Sequence, residues 1–167
     1  MQCSFHFAAD PCYHYENLSE ANRKIDYITP LGSELCDYKL PEGWYRFVGA
    51  AGTKLPTTHV PAYRCGTDWS GWLKGAHPTV EDGEVPRTVC FSDRSTGCQG
   101  SKSILVKNCR SYFIYKLFPP SSCFSCYCGT DWMWSKYTWR GKRTQKSLCR
   151  YMCIRCLCDL VNLSSPS

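Results

Sequence analysis

The sequence predicts a small disulfide-rich, mainly β domain with antiparallel strands and hairpins, long irregular loops and little helix. The chain holds 14 Cys in 167 residues, a density typical of extracellular scaffolds formed in an oxidising compartment. Its 6 Trp, 11 Tyr and 7 Phe predict a core of aromatic rings packed around cross-links. Short strand-like runs are separated by turns that contain Gly and Pro. We therefore expect a secreted protein, with a zinc protein as the alternative.

The net charge is distributed unevenly along the chain. Residues 1–128 contain 13 Lys and Arg against 12 Asp and Glu, whereas residues 129–167 contain 7 against 2. The formal charge of +6 is therefore mostly a property of the C-terminal tail. A basic character of the whole chain, with nucleic acid as its partner, is not predicted.

The N-terminus lacks a recognisable targeting segment. Residues 1–9 have no basic start and no apolar run of signal-peptide length, so we treat them as an N-terminal remnant. No window of the sequence contains the roughly 18 apolar residues that a membrane helix needs. Because the cysteine content is of the secreted type, we expect the chain to be a truncated or internal part of a longer protein.

The cysteine-tethered region begins at Asp10 and contains Cys12. Asn17 opens an Asn-Leu-Ser sequon, which in a secreted chain predicts a surface N-glycosylation site, although such sequons also arise by chance. Residues 25–35 include Pro30 and Gly32 and are predicted to form a loop.

Residues 43–49 form the strand around which the rest of the chain is expected to be organised. Alternation places Trp44 and Arg46 on one face, and Tyr45 and Phe47 on the other. Both faces carry bulky side chains, which suits a buried or heavily covered strand.

The middle of the chain predicts three short elements. Residues 57–65 look extended, with Pro61 confining them to an edge or a bend. Residues 69–75 form a compact aromatic turn or short strand. Residues 75–86 are predicted to be a solvated loop, because the spacing of their polar side chains does not match an acidic calcium loop. Those side chains belong to His77, Glu81, Asp82 and Glu84.

The segment from Arg87 onward predicts an antiparallel sheet. Residues 87–91 and 103–107 are strand-like and flank a polar turn at 92–100. Residues 112–117, which are rich in aromatic and β-branched side chains, form the most strand-like segment of the chain. We expect a hairpin between residues 103–107 and 112–117.

The order of these features resembles a known family. The chain contains Asp-Pro-Cys, Cys-Asp, Gly-Trp-Tyr-Arg-Phe, Val-Pro-x-x-Arg-Cys, Trp-Leu-x-Gly-x-His-Pro, Val-Lys-x-Cys, a Tyr-Phe-Ile-Tyr-x-Leu strand and Cys-x-x-x-x-Cys, in that order. This series resembles the eight-cysteine domain of the uromodulin and pancreatic secretory granule major glycoprotein family. The resemblance covers residues 10–128 and implies one domain there.

The resemblance also implies cysteine partners, which spacing alone leaves open because eight cysteines permit 105 pairings. The implied bridges are Cys12 with Cys109, Cys36 with Cys123, Cys65 with Cys128, and Cys90 with Cys98.

The chain departs from the family pattern at four positions. A further bridge of uromodulin is absent, because His59 and Gly97 occupy its two places. A catalytic role for His59 is therefore disfavoured. Lys74 and Lys116 occupy two sites where uromodulin-like domains carry sequons, so glycans presented from those places are lost. Asn17 is the one sequon left within the predicted domain.

Residues 129–167 extend beyond the resemblance as a basic tail that contains Cys and Trp. The Trp and basic residues could stack on nucleic-acid bases or lie at a membrane interface. Zinc ligation by the tail cysteines is another alternative, although their spacing lacks paired Cys-x-x-Cys knuckles. We expect a tail that is poorly ordered or the product of a truncated or misassembled gene model, and pairing of its thiols with each other or with another chain is a further alternative. The oxidation state is left open for Cys3, Cys126, Cys149, Cys153, Cys156 and Cys158.

The function predicted from these features is a non-catalytic extracellular interaction or scaffold module within a larger secreted or cell-surface glycoprotein. No catalytic, metal or cofactor-binding residue is assigned, and no cofactor is expected. The partner is expected to be an extracellular protein or glycan, contacted through the loops at residues 25–35 and 75–86. Other domains of the parent chain are further possible partners. The alternatives are a secreted enzyme or inhibitor on the same frame, or a zinc-binding tail.

Overall fold

The computed structural model describes residues 9–93 and 97–131. Seven strands and four short 3-10 helices make up its secondary structure, and no α-helix occurs in this part of the chain. The strands are β1 (Glu16–Leu18), β2 (Gly43–Phe47), β3 (Trp69–Lys74), β4 (Glu84–Ser92), β5 (Gly100–Asn108), β6 (Phe113–Leu117) and β7 (Ser125–Tyr127). The 3-10 helices are Pro11–Tyr13, Ala21–Arg23, Asp37–Lys39 and Gly49–Ala51. The predicted mainly β class is therefore confirmed.

All seven strands belong to one sheet, in the order β1-β2-β6-β5-β4-β3-β7. The expected hairpin is confirmed, because β5 and β6 pair antiparallel with Leu105 opposite Lys116. The turn between β4 and β5 also joins two antiparallel strands. Long loops lead from β1 to β2 and from β2 to β3, which agrees with the expected irregular connections.

The two outermost pairings of the sheet are parallel, whereas the sequence predicts antiparallel strands. β1 lies parallel to β2, with Asn17 opposite Arg46, and β3 lies parallel to β7, with Ser70 opposite Cys126. β1 and β7 are three-residue strands, too short for a period-two pattern to indicate their direction.

The main core cluster of the described residues has fourteen buried members, of which six are aromatic. Tyr45 and Phe47 of β2 are buried there, and the Phe47 ring meets the Tyr115 ring edge-on with 5.7 Å between centroids. Phe91 and Tyr127 make a similar contact at 5.5 Å. Trp44 and Arg46, on the other face of β2, are half-buried, so that face of the strand is only partly covered.

Two expected elements differ in the structure. Residues 57–65 form no strand but bends and turns, and Tyr63 and Cys65 adopt left-handed backbone angles with φ of 60° and 48°. The second expected loop ends early, because β4 begins at Glu84. Pro86 has no N–H to donate, but it lies in a part of β4 that does not pair with β3, because that pairing starts only at Thr88. The strand therefore tolerates Pro86 on its β3 side.

The last described residues pair with the body of the domain. The Gly129 carbonyl accepts a hydrogen bond from the Ile25 amide at 3.0 Å, and Thr130 pairs with Lys54. A side chain at Gly129 would collide with the Ala51 carbonyl. The described fold therefore continues through Thr130, whereas the expectation of a poorly ordered tail concerns residues that are mostly outside the described ranges. None of the helices in those ranges is long and apolar enough to span a membrane.

Candidate functional site

Four disulfides cross-link the domain. Three of them have partners far apart in sequence, with separations of 97 residues for Cys12–Cys109, 87 for Cys36–Cys123 and 63 for Cys65–Cys128. The fourth, Cys90–Cys98, closes the turn between β4 and β5. Their Cα atoms lie 4.8 to 5.8 Å apart. In the chain-entropy model, each long bridge contributes roughly 4 to 5 kcal/mol to the free energy of unfolding.

A buried ion pair lies beside the Cys36–Cys123 bridge. Arg23 donates two hydrogen bonds of 2.8 Å to the carboxylate of Asp37, and both side chains are almost completely buried. Asp37 also accepts a hydrogen bond from the Tyr127 amide at 2.8 Å, which connects the pair to β7. Apart from the Cys-Asp dipeptide, nothing in the sequence marks this pair.

The remaining free cysteine in the described part of the chain, Cys126, contacts this pair. Its sulfur lies 3.0 Å from a guanidinium nitrogen of Arg23. Burial raises the pKa of the Cys126 thiol well above its ordinary value, and the nearby Asp37 carboxylate raises it further. The thiol is therefore neutral at physiological pH, so it is a poor nucleophile.

The loop at residues 25–35 is fixed along its backbone to a second loop. The Thr29 amide donates to the Tyr63 carbonyl at 3.1 Å, and the Cys65 amide donates to the Tyr27 carbonyl at 3.1 Å. Near its end, the Leu35 amide bonds the Gly66 carbonyl. The tip of the loop nevertheless carries Leu31, with 95% of its surface exposed. An apolar side chain thus projects from a backbone that is fixed on both sides.

The second expected contact loop contains a histidine that is not solvated. The His77 ring packs on Phe113 with 4.3 Å between centroids, and its Nε2 lies 2.8 Å from the Tyr115 hydroxyl. Burial, helped by the charges of Lys54 and Arg87, lowers the pKa of His77 to about 4. The prediction of a solvated loop is therefore wrong for His77.

The Tyr115 hydroxyl determines the tautomer of His77. This hydroxyl is fully buried and accepts a hydrogen bond from the Leu55 amide at 3.0 Å. Its own proton needs an acceptor, and Nε2 of His77 is within reach. The neutral imidazole therefore carries its proton on Nδ1. No pattern in the sequence indicated this pairing, because Tyr115 and His77 are 38 residues apart.

An open groove of about 950 Å³ lies at the β1 edge of the sheet. Its lining includes Tyr15, Asn17 and Trp44. Arg46 stacks on the Tyr112 ring, with 3.8 Å from its guanidinium carbon to the ring centroid, and donates a 2.9 Å hydrogen bond to the Tyr15 hydroxyl. The groove is therefore lined by the aromatic side chains of Tyr15 and Trp44, and Asn17 of the sequon lies beside them. Arg46 holds Tyr15 in place.

The structure separates the other residues singled out in the sequence. His59 contacts Trp72 edge-on, with 5.9 Å between ring centroids, and Gly97 is exposed beyond β4. Lys74 is exposed, and Lys116 pairs with Glu42 at 3.1 Å. No group of three or more potential metal ligands occurs within residues 9–93 and 97–131. Cys3, Cys149, Cys153, Cys156 and Cys158, and with them the zinc alternative, lie outside these ranges.

The sheet, its bridges and its exposed loops define a small disulfide-held β module. A model of the uromodulin-like domain family matches residues 45–129, about half of the chain. The chain belongs to this family, and the resemblance noted in the sequence is confirmed.

Curated relatives agree with this assignment. The chain is 42% identical over 120 residues to the pancreatic secretory granule membrane major glycoprotein GP2 of Canis lupus familiaris, in a match that covers 71% of the chain and 23% of the relative. It is 40% identical over 120 residues to uromodulin of Mus musculus, covering 71% of the chain and 18% of that protein. The human GP2 protein is 37% identical over 124 residues, which cover 74% of the chain and 22% of the relative. The matches thus span less than a quarter of these relatives.

Proposed function

We propose that this chain is a non-catalytic extracellular module that presents a rigid apolar loop to a protein partner. The observation that carries the proposal is Leu31, 95% exposed at the tip of a loop with a fixed backbone. In this proposal the module is part of a larger secreted or cell-surface glycoprotein. The name of the GP2 relatives, a secretory granule membrane glycoprotein, supports that location.

The rigidity of the loop favours binding. Backbone hydrogen bonds attach residues 27–35 to residues 63–66, and the Cys36–Cys123 and Cys65–Cys128 bridges lie next to these two segments. A loop that is already ordered loses little conformational entropy when a partner binds it. The proposed bridges therefore keep the binding loop in one conformation.

The chemistry of the tip favours a protein as partner over a glycan. Leu31 and Ile28 are both largely exposed and carry no polar side-chain atoms. Aliphatic side chains of this kind fit apolar pockets of proteins, whereas sugars are held by aromatic and hydrogen-bonding groups. We propose an apolar pocket on an extracellular protein as the binding partner.

A non-catalytic role is supported by the surroundings of the reactive residues. The thiol of Cys126 is neutral and buried against Arg23. The ring of His59 contacts Trp72, and that of His77 contacts Phe113 and Tyr115. No observation among the described residues favours the secreted enzyme or inhibitor considered as the alternative.

Cell binding tests the loop proposal. The secreted chain, fluorescently labelled at its C-terminus, is applied to a panel of cultured cells. We expect Leu31→Asp to weaken binding by roughly tenfold or more, because a central apolar anchor contributes about 2 kcal/mol or more. The matched control is Phe124→Asp, which alters a 55% exposed apolar residue outside both predicted contact loops and is expected to have little effect.

Pretreatment of the cells identifies the class of partner. Protease treatment is expected to abolish binding, and glycosidase treatment to leave it intact. If Leu31→Asp and wild type bind equally, or if only glycosidase removes binding, the proposed protein-binding loop is wrong.

A further inference from the structure

We propose that Asn17 carries an N-linked glycan whose first N-acetylglucosamine packs against Tyr15 in the groove at the β1 edge. The inference rests on the proposed extracellular location, because N-glycans are added in the secretory pathway. It goes beyond the sequon, since it assigns the sugar a binding surface on the module itself.

The geometry of β1 directs Asn17 away from the core. Leu18 is buried, with 3% of its surface exposed, and Asn17 next to it is exposed. Successive side chains of a strand point to opposite faces, so the burial of Leu18 fixes the outward direction of Asn17. The Asn17 side chain makes no hydrogen bond within the described ranges, so its amide is accessible for modification.

Tyr15 lies on the same side of the sheet as Asn17. Asn17 is opposite Arg46 in the parallel pairing of β1 with β2, and paired residues share a face. The Tyr15 hydroxyl accepts a hydrogen bond from that same Arg46, and its ring contacts the Tyr112 ring at 5.7 Å between centroids. Tyr15 is therefore held next to the point where the sugar is attached.

The groove suits a sugar. A pyranose ring has an apolar C–H face and polar edges, so it packs flat on an aromatic ring and forms hydrogen bonds at its rim. Tyr15 and Trp44 supply aromatic surface, and the Glu42 carboxylate, which lines the same groove, can accept bonds from sugar hydroxyls. Its volume of about 950 Å³ accommodates the core sugars of a glycan.

Covalent attachment makes even a weak contact effective. A sugar on Asn17 is attached beside the groove that Asn17 lines. Its effective concentration there is therefore high, and it loses no translational entropy when it packs against the groove. The docked glycan also covers the outer edge of β1, which has no further strand beside it among the described residues. Unpaired sheet edges promote association between chains, so this cover protects the module against edge-to-edge pairing.

The modification is a group transfer from a lipid-linked pyrophosphate oligosaccharide. Nδ2 of Asn17 attacks the anomeric carbon, forming the nitrogen–carbon bond while the carbon–oxygen bond to the pyrophosphate breaks. The lipid pyrophosphate leaves with that electron pair, and the amide nitrogen gives up one proton to a base of the transferase.

The test uses the full chain secreted from mammalian cells and trimmed by an endoglycosidase that leaves one N-acetylglucosamine. The unglycosylated reference is Ser19→Ala, which destroys the sequon and keeps Asn17. We expect the sugar to raise the folding equilibrium constant roughly two- to tenfold, the range of an aromatic stacking contact. The gain is expected to persist in Tyr15→Phe and to vanish in Tyr15→Ser, each measured with and without the sugar.

Proton NMR of the glycosylated wild-type chain provides a readout that does not depend on a variant folding. Sugar protons lying over the Tyr15 ring are expected to shift upfield relative to those of a free glycosylated peptide of residues 14–20. Unshifted sugar protons, or an equal gain in Tyr15→Ser, would overturn the inference. A secreted, correctly bridged chain without sugar on Asn17 would also overturn it, while leaving the module proposal intact.

Discussion

Replacing Asp37 by Ala is expected to destabilise the module strongly. The substitution leaves the Arg23 guanidinium, with 5% of its side chain exposed, without the carboxylate that accepts two of its hydrogen bonds. Glu20, which is about half exposed, remains as its only other ionic partner among the described residues. Removing one member of a buried ion pair typically costs about 3 to 5 kcal/mol, because the other charge remains buried without compensation.

Urea unfolding of the oxidised protein at pH 7, followed by Trp fluorescence, measures this loss. Glu42→Gln is the matched control, since it breaks a pair with Lys116 in which both side chains are at least one-third exposed. We expect the control to change the free energy of unfolding by less than about 1 kcal/mol. Asp37→Asn keeps an acceptor for the Tyr127 amide and for one guanidinium nitrogen of Arg23, and removes the charge together with the second acceptor. If Asp37→Ala costs no more than Glu42→Gln, the buried pair does not stabilise the fold.

Two further predictions concern titrating groups. His77 takes up a proton near pH 6.5 in the unfolded chain but only near pH 4 in the folded chain. The contribution of neutral His77 to the free energy of unfolding is therefore complete above pH 6.5, and up to about 3 kcal/mol of it is lost as the pH falls to 4. The free energy of unfolding of wild type, minus that of His77→Gln, should therefore decrease as the pH is lowered from 6.5 to 4. A difference that stays constant over this range would show that His77 titrates normally. The Cys126 thiol is expected to resist iodoacetamide in native protein at pH 8 and to react after unfolding in urea, as scored by mass spectrometry of the peptide that contains Cys126. Rapid alkylation under native conditions would contradict its burial.

The sequence predicted the regular part of the fold because those elements carry local patterns. The β5–β6 hairpin joins two strands with clear strand-forming runs, and its antiparallel pairing follows from their short connection. β2 was predicted from its aromatic alternation, but the half exposure of Trp44 was not, because exposure depends on what packs over a strand. β1 and β7 were missed because three residues carry too little pattern.

The site was less predictable, because its contacts join residues far apart in the sequence. Arg23 and Cys126 are separated by 103 residues, and neither position shows a pattern that indicates the other. His77 looked solvated because the residues around it are polar, and only the fold brings the Tyr115 hydroxyl within 2.8 Å. Asn17 was recognisable as a sequon, but its place beside Tyr15 and Arg46 depends on the parallel pairing of β1 with β2.

The central claim is that a covalent frame holds the binding loop, and peptide mapping of the secreted chain under non-reducing conditions tests it most directly. We predict linked peptides for Cys12–Cys109, Cys36–Cys123, Cys65–Cys128 and Cys90–Cys98, with Cys126 recovered as a free thiol. A different pairing, or Cys126 in a bridge with Cys123 or Cys128, would contradict the account, because the loop at residues 25–35 would then lack the frame proposed to hold it.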